Sequence, residues 1–215
     1  MLLEIASVII GYLLGSIPTA YIVTRMRKGI DIRNVDVGNV GGGSVLRQVG
    51  IWEGAIVIIV DMGKGAAAIY IAQLFGVSLL WVLGAGFAAI IGHNYPVFLG
   101  FRGGQGAATI MGIFFVLTPI AMAVIFGIMG IVLLLTRRRF TRLLFVMVCI
   151  MSPLLPLFVW LFYGSEIVVY YTLVIIALLL FKNRRRLKEV SMLLRHKKEP
   201  QQPQIETSEI SPADD

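Results

Sequence analysis

Charge is what this 215-residue chain has least of: 14% of its positions are charged, histidine occurs twice and cysteine once. So little charge at a mean hydropathy of +0.87 excludes an ordinary soluble domain, which at this size must cover its surface largely with polar side chains. Intrinsic disorder is excluded too, because it needs low hydrophobicity and high charge. The single Cys149 permits no intrachain disulfide and so excludes an oxidised secreted scaffold; within an apolar run it reads as a packing thiol. The net charge of +7 does not point to nucleic acid, because long apolar segments separate the basic residues. An anionic membrane surface or a phosphate-bearing substrate is the expected partner.

What is abundant is apolar sequence, 58% of the chain, gathered into runs. The first, 2–24, has neither a basic leading region nor a small-residue cleavage site and reads as a membrane span. Further runs occupy 54–75, 77–91, 107–117, 119–135, 143–162 and 167–181. Several are shorter than the ~20 residues that cross a bilayer, which fits tilted or broken helices, with breaks expected at Gly76 and Pro119. The expected fold is an all-α integral membrane protein of about seven transmembrane helices, or about five if short pairs fuse or re-enter, with glycine-rich cytoplasmic loops. Residues 1–190 read as the membrane domain and 191–215 as a polar, disordered tail.

The basic residues orient these spans. Five fall in 25–47, one is Arg102, four lie in 137–142 and eight in 182–198, leaving only Lys64 inside a span. Alternating segments put all four groups on one side, with Glu4 and Glu166 opposite. Because short cytoplasmic loops hold the positive charge, the N-terminus is expected outside and the C-terminus in the cytoplasm.

Two loops on that side carry the polar chemistry. In the first, Gly38, Gly41, Gly42 and Gly43 lie beside Asn39 and Ser44 and are flanked by Arg33 and Arg47. The pattern suits either a main-chain phosphate cradle with arginine support or a flexible connection. The second joins His93, Asn94 and Arg102 to Gly103, Gly104, Gln105 and Gly106, then opens directly into an apolar helix. A glycine-rich turn at a helix N-terminus is suited to an anion, since free amides and the helix dipole face it. His93 reads either as a general base or phosphate ligand, or as a packing residue. Asp61 and Lys64, three apart in one span, form either a structural ion pair or part of a site.

The segments Gly15-Ser-Ile-Pro-Thr-Ala-Tyr21, Gly29-Ile-Asp-Ile-Arg33, Gly38-Asn-Val-Gly41, Val45-Leu-Arg47, Asp61-Met-Gly-Lys-Gly65 and Gly92-His-Asn-Tyr-Pro-Val-Phe-Leu-Gly-Phe-Arg-Gly-Gly104 stand in an order that resembles the bacterial acyl-phosphate-dependent glycerol-3-phosphate acyltransferases. The resemblance runs from residue 2 to about 190 and implies an inner-membrane, multi-pass enzyme. The implied reaction moves a fatty acyl group from acyl phosphate to glycerol 3-phosphate, giving lysophosphatidic acid and phosphate for phospholipid synthesis. It uses no cofactor or metal, and enzymes of lipid synthesis that supply acyl phosphate are possible partners. By the same resemblance Asn39, Arg47 and His93 are catalytic, while Arg33, Gly38, Gly41, Ser44, Asp61, Lys64, Asn94, Arg102, Gly103, Gly104, Gln105 and Gly106 bind substrate and its phosphate.

The chain departs from the family pattern at polar positions. Val37 stands where a serine is usual, Gly43 and Ser44 replace threonine and asparagine, and Gln105 replaces the lysine of the second motif. In the third motif Asn183 and Arg186 stand for histidine and asparagine. These changes leave open a second reading, a non-catalytic relative that binds acyl phosphate or anionic lipid and regulates lipid enzymes. The orientation has a direct test. A cysteine placed at position 40 is expected to react with an impermeant thiol reagent only after the membrane is opened, and labelling from outside intact cells would reject the assignment.

Overall fold

A computed structural model describes residues 1–35, 40–136 and 153–196 of the chain. Residues Met1–Lys182 form one compact unit and the remainder a second. Every regular element in the described residues is helical. Helix α1 spans Leu2–Ser16, α2 Thr19–Lys28, α3 Ile32–Val35, α4 Gly42–Gln48, α5 Ile51–Leu74 and α6 Leu79–Asn94. A short 3₁₀ turn, Val97–Leu99, leads to α7 (Ala107–Leu117), α8 (Pro119–Thr136), α9 (Leu154–Tyr163) and α10 (Glu166–His196).

The expected breaks occur where the backbone requires them. Helix α5 ends at Leu74, and Gly76 takes a left-handed conformation at φ +66°. Helices α7 and α8 meet at Thr118-Pro119. The run 2–24 differs from its reading as one helix: α1 stops at Ser16 and α2 starts at Thr19, because Pro18 lacks an amide hydrogen and holds Ile17 extended at ψ 117°. The run 119–135 is α8, and 167–181 is the first part of α10. Helix α10 continues past residue 190 to His196, into the stretch read as tail. Residues 197–215, the basic group 137–142 and the first part of the run 143–162 lie outside the described residues.

Three stretches are long and apolar enough to cross a membrane: Leu2–Lys28, Ile51–Leu74 and Leu79–Leu99. Shorter apolar helices, Ala107–Leu117, Pro119–Val132 and Leu154–Tyr163, accompany them. Their apolar faces meet in a core that includes Ile69 of α5, Ile90 of α6, Ile113 and Phe114 of α7, Val159 of α9 and Ile175 of α10. A smaller cluster, Ala20, Ile32, Val40, Val45 and Val57, lies where α2, α3 and α4 meet α5.

Lipid tails give apolar helix faces little reason to leave lipid for one another, so small residues that let backbones approach do much of the work. On α1, a Cβ at Gly11 or Gly15 would overlap the main-chain carbonyl oxygens of Ala85 and Ala89 on α6. The α5–α7 contact is reciprocal: Gly65 lies against the Thr109 carbonyl and Gly112 against that of Met62. This contact fixes α7, and with it the loop that precedes α7, on the charged face of α5.

The reciprocal contact generates a prediction. Gly65→Val drives a side chain into main chain that cannot rotate away, and overpacking of this kind costs at least the usual ~1–3 kcal/mol. Gly63→Ala, at an exposed position with open space around it, should be neutral or gain up to about 1 kcal/mol through helix propensity. Thermal stability of the purified protein in detergent, read by monodisperse recovery after heating, is expected to fall for the first variant and hold for the second.

Candidate active site

The buried ionisable residues converge where α5 passes the break between α1 and α2. Asp61 and Lys64 lie one turn apart on α5 and are 2% and 6% exposed, with Lys64 Nζ 2.9 Å from Asp61 Oδ1. Lys64 Nζ also donates to the main-chain oxygen of Ile17 at 3.1 Å. That carbonyl precedes Pro18 and is left without its helical partner by the break, so the ammonium bridges a carboxylate and an orphaned backbone acceptor. His93, in the last turn of α6, brings Nδ1 to 3.8 Å from the same Asp61 oxygen. The pair is thus both structural and site-lining: Asp61, Lys64 and His93 share a narrow cleft of about 240 Å³ with Gly15, Pro18 and Gly104.

The second glycine loop lies on the end of α6. The Gly104 amide donates to the His93 carbonyl at 3.0 Å. A side chain at Gly103 would overlap that same carbonyl, and one at Gly104 would overlap His93 Nε2 and the carbonyl of Val40. Glycine is required here by close approach. Gly106, at φ +79°, caps α7, and the buried Asn94 Oδ1 next to it has no hydrogen-bond partner. Gln105 is partly buried between these glycines. His93 is 8% exposed, with Nδ1 toward Asp61 and Nε2 under Gly104, so its ring supports the loop from beneath.

The contact of Gly104 with Val40 brings the two loops together, as their common side of the membrane required. The first loop is more helical than its glycine content implied. Gly41 is the N-cap of α4, Gly42 packs on Ile58 and the Gly54 carbonyl, and Ser44 is buried with no partner for its hydroxyl. Arg47 is exposed in the last turn of α4. Gly38 and Asn39 lie outside the described residues. Neither Ser44 nor Arg47 lines the cleft that holds Asp61.

Arg33 and Arg102 flank a wider cleft of about 740 Å³ with Tyr21, Phe98, Leu99 and Gly100, and Leu99 lines both clefts. The Arg33 guanidinium is held by Asp31 (Nη2 to Oδ2 2.6 Å, Nε to Oδ1 3.0 Å) and lies 5.4 Å from the centroid of the Tyr21 ring. Those hydrogen bonds hold the Asp31 carboxyl below its ordinary pKa and raise that of Arg33. Arg102 is exposed at the mouth. Strain marks this turn: Phe101 is the non-glycine residue with positive φ, at 61°, beside Gly100 at 59°.

Sequence reasoning missed an apolar cavity. About 620 Å³ of space between α7, α8, α9 and α10 begins at Ala107, the residue after Gly106, and is lined by Met111, Phe114, Met122, Met129 and Leu179 among others. Met111, Met122 and Met129 were the available signal, since flexible thioethers suit adaptable apolar walls. Glu53, expected to extend the polar stripe of α5 toward the loops, instead pairs with Arg27 at 3.2 Å.

The buried pair is separable from the rest by a cycle of substitutions. Lys64→Met leaves the Asp61 carboxylate without its ammonium in a desolvated place and is expected to destabilise by roughly 3–5 kcal/mol. Asp61→Asn combined with Lys64→Met removes both charges and should recover much of that loss. Folded yield and thermal stability in detergent check both, and equal losses in the single and double variants would contradict the pairing.

The model of the family described as "Glycerol-3-phosphate acyltransferase" matches residues 5–192. The chain is 38% identical over 195 residues to glycerol-3-phosphate acyltransferase 1 of Dehalococcoides mccartyi, covering 85% of this chain and 90% of that one. It is 35% identical over 190 residues to the glycerol-3-phosphate acyltransferase of Endomicrobium trichonymphae, covering 88% and 93%. Its fold is similar to the crystal structure of PlsY (YgiH), an integral membrane glycerol 3-phosphate acyltransferase, in the glycerol 3-phosphate form: TM-score 0.76, 31% identity, covering 91% of this chain and 94% of that one. From matches of this length in both sequence and fold, the chain belongs to the glycerol-3-phosphate acyltransferase family of integral membrane proteins.

Proposed function

We propose that this membrane acyltransferase draws its acyl group from an acyl phosphate and delivers it to the 1-hydroxyl of glycerol 3-phosphate, releasing lysophosphatidic acid and inorganic phosphate. The observation that carries the reading is one junction. At Gly106–Ala107 a glycine loop at a helix N-terminus, suited to a phosphate, adjoins an apolar cavity suited to a fatty chain. A molecule with a phosphate joined directly to an acyl carbonyl fits both sides of that junction at once. The likeness to PlsY in its glycerol 3-phosphate form supports the acceptor.

The chemistry asks little of the protein beyond alignment. The acceptor hydroxyl oxygen forms a bond to the acyl carbon, the bond from that carbon to the phosphate oxygen breaks, and the departing phosphate takes the hydroxyl proton. Because the donor is already activated, holding two anionic substrates in contact supplies the main advantage. Main-chain amides of Gly103–Gly106, with Arg102 and Arg33 at the wider cleft, are the groups we assign to the phosphates, and Asn39 and Arg47 to the reacting end of the donor. Lys64 and Asp61 fix the break beneath the loop, and His93 supports the loop from below. The site needs no metal in this reading. The chain crosses the membrane seven times with its N-terminus outside, and enzymes that make acyl phosphate are its suppliers.

Purified protein is expected to release phosphate from palmitoyl phosphate in a manner dependent on glycerol 3-phosphate, with lysophosphatidic acid as the coupled product. Arg102→Ala should weaken binding of the phosphate-bearing substrates by about 1.5–3 kcal/mol, the size of one charged hydrogen bond, and so raise KM. Binding of palmitoyl phosphate without turnover would instead identify the chain as a non-catalytic member of its family.

A further inference from the structure

A lysine at the end of an apolar span ordinarily extends its ammonium into the headgroup region. Lys182, which directly follows the apolar run of α10, turns inward instead. Its Nζ donates to the main-chain oxygen of Asn94 at 3.0 Å and lies 4.1 Å from the centroid of the Tyr95 ring. The Asn94 carbonyl belongs to the last turn of α6, where backbone acceptors lack helical partners and the helix dipole favours a cation. From the opposite direction the Tyr12 hydroxyl of α1 donates to the Tyr95 carbonyl at 3.0 Å. The turn 93–95 is therefore gripped by α1 and α10.

That turn is also the bed of the glycine loop. The His93 carbonyl accepts the Gly104 amide at 3.0 Å, and the carbonyls of His93 and Asn94 both press on Gly103. Any rotation of the 93–94 or 94–95 peptide plane moves the surface on which Gly103 and Gly104 lie. We propose that Lys182 is a positioning residue for this enzyme: by fixing the Asn94 carbonyl and the Tyr95 ring it sets the main-chain geometry of the glycine loop that receives substrate phosphate. The role of the loop in holding phosphate rests on the acyltransferase reading above. The ordering of the loop by Lys182 does not.

Hydrogen exchange of the full-length protein in detergent, without substrate, reads the ordering directly. Losing a charge-assisted hydrogen bond and the contact over the ring should raise exchange at the Gly104 amide about tenfold in Lys182→Met, with amides of α5 and α7 unchanged. Lys182→Arg, which keeps the cation and the donor, should restore most of the protection. Tyr95→Leu removes only the ring and serves if Lys182→Met fails to fold; it should raise the same exchange by a smaller factor, and the double variant should add little to Lys182→Met. In the assay with palmitoyl phosphate, KM for glycerol 3-phosphate should rise several-fold in Lys182→Met while kcat changes less. Unchanged exchange at Gly104 in folded Lys182→Met overturns the proposal, and a raised KM alongside unchanged exchange would make Lys182 a direct substrate contact instead. If the unaltered protein turns over no acyl phosphate, the acyltransferase reading fails and the exchange result still decides the role of Lys182.

Discussion

A carboxylate and an ammonium enter a bilayer at bearable expense only in each other's company, and Asp61 and Lys64 do so with a third participant. The Lys64 ammonium spans 2.9 Å to the carboxylate of its own helix and 3.1 Å to the Ile17 carbonyl of another. The α1–α2 break exposes a backbone acceptor that lipid could not satisfy, and the charged pair on α5 lacks solvent. Each defect is the other's remedy. With that point fixed, α1 and α5 are in register, α6 docks on α1 through Gly11 and Gly15, and α7 docks on α5 through Gly65 and Gly112. The glycine loop, strung between α6 and α7, inherits its place from all of these contacts.

Glycine thus serves two ends in one molecule. Within the helices it lets backbones touch, which substitutes for the hydrophobic drive that lipid removes. At Gly103 and Gly104 it brings one stretch of main chain down onto the carbonyls that end α6. The outcome is a loop whose amides are held by backbone and not by side chains. Changes at polar side-chain positions, such as Gln105 or Ser44, therefore leave the path of the chain intact. This is why a sequence that departs from its family at several polar positions keeps a fold matching a relative at a TM-score of 0.76.

Much of the fold could be read before any coordinates. Gly76 and Pro119 announce their breaks because their backbones forbid continuation, and the basic loops share a side because lipid excludes charge. The Asp61–Lys64 pair was evident from spacing alone. What remained hidden depends on contacts distant in sequence. No property of the run 2–24 reveals that the Ile17 carbonyl is to be met by a lysine forty-seven residues away. Gly41, Gly42 and Gly43 looked like an open cradle because glycine permits almost any conformation; packing against Ile58 and Gly54 folds Gly42 and Gly43 into α4. Lys182 reads as one more interfacial cation until α10 is placed beside Asn94.

Helix α7 has 11 residues, so its axis is about 16 Å long against a hydrocarbon layer of ~30 Å. It cannot be extended at either end, since Gly106 is left-handed on one side and Thr118-Pro119 turns into α8 on the other, where the Ile120 amide donates to the Tyr163 hydroxyl at 3.0 Å. Either the glycine loop or that far turn therefore lies within the thickness of the layer, and the lipid around α7 must thin to meet it. A protein of lipid synthesis shaped in this way is mechanically matched to a thin bilayer. The thickness of the membrane it helps to build becomes a load on the helix that carries its phosphate loop.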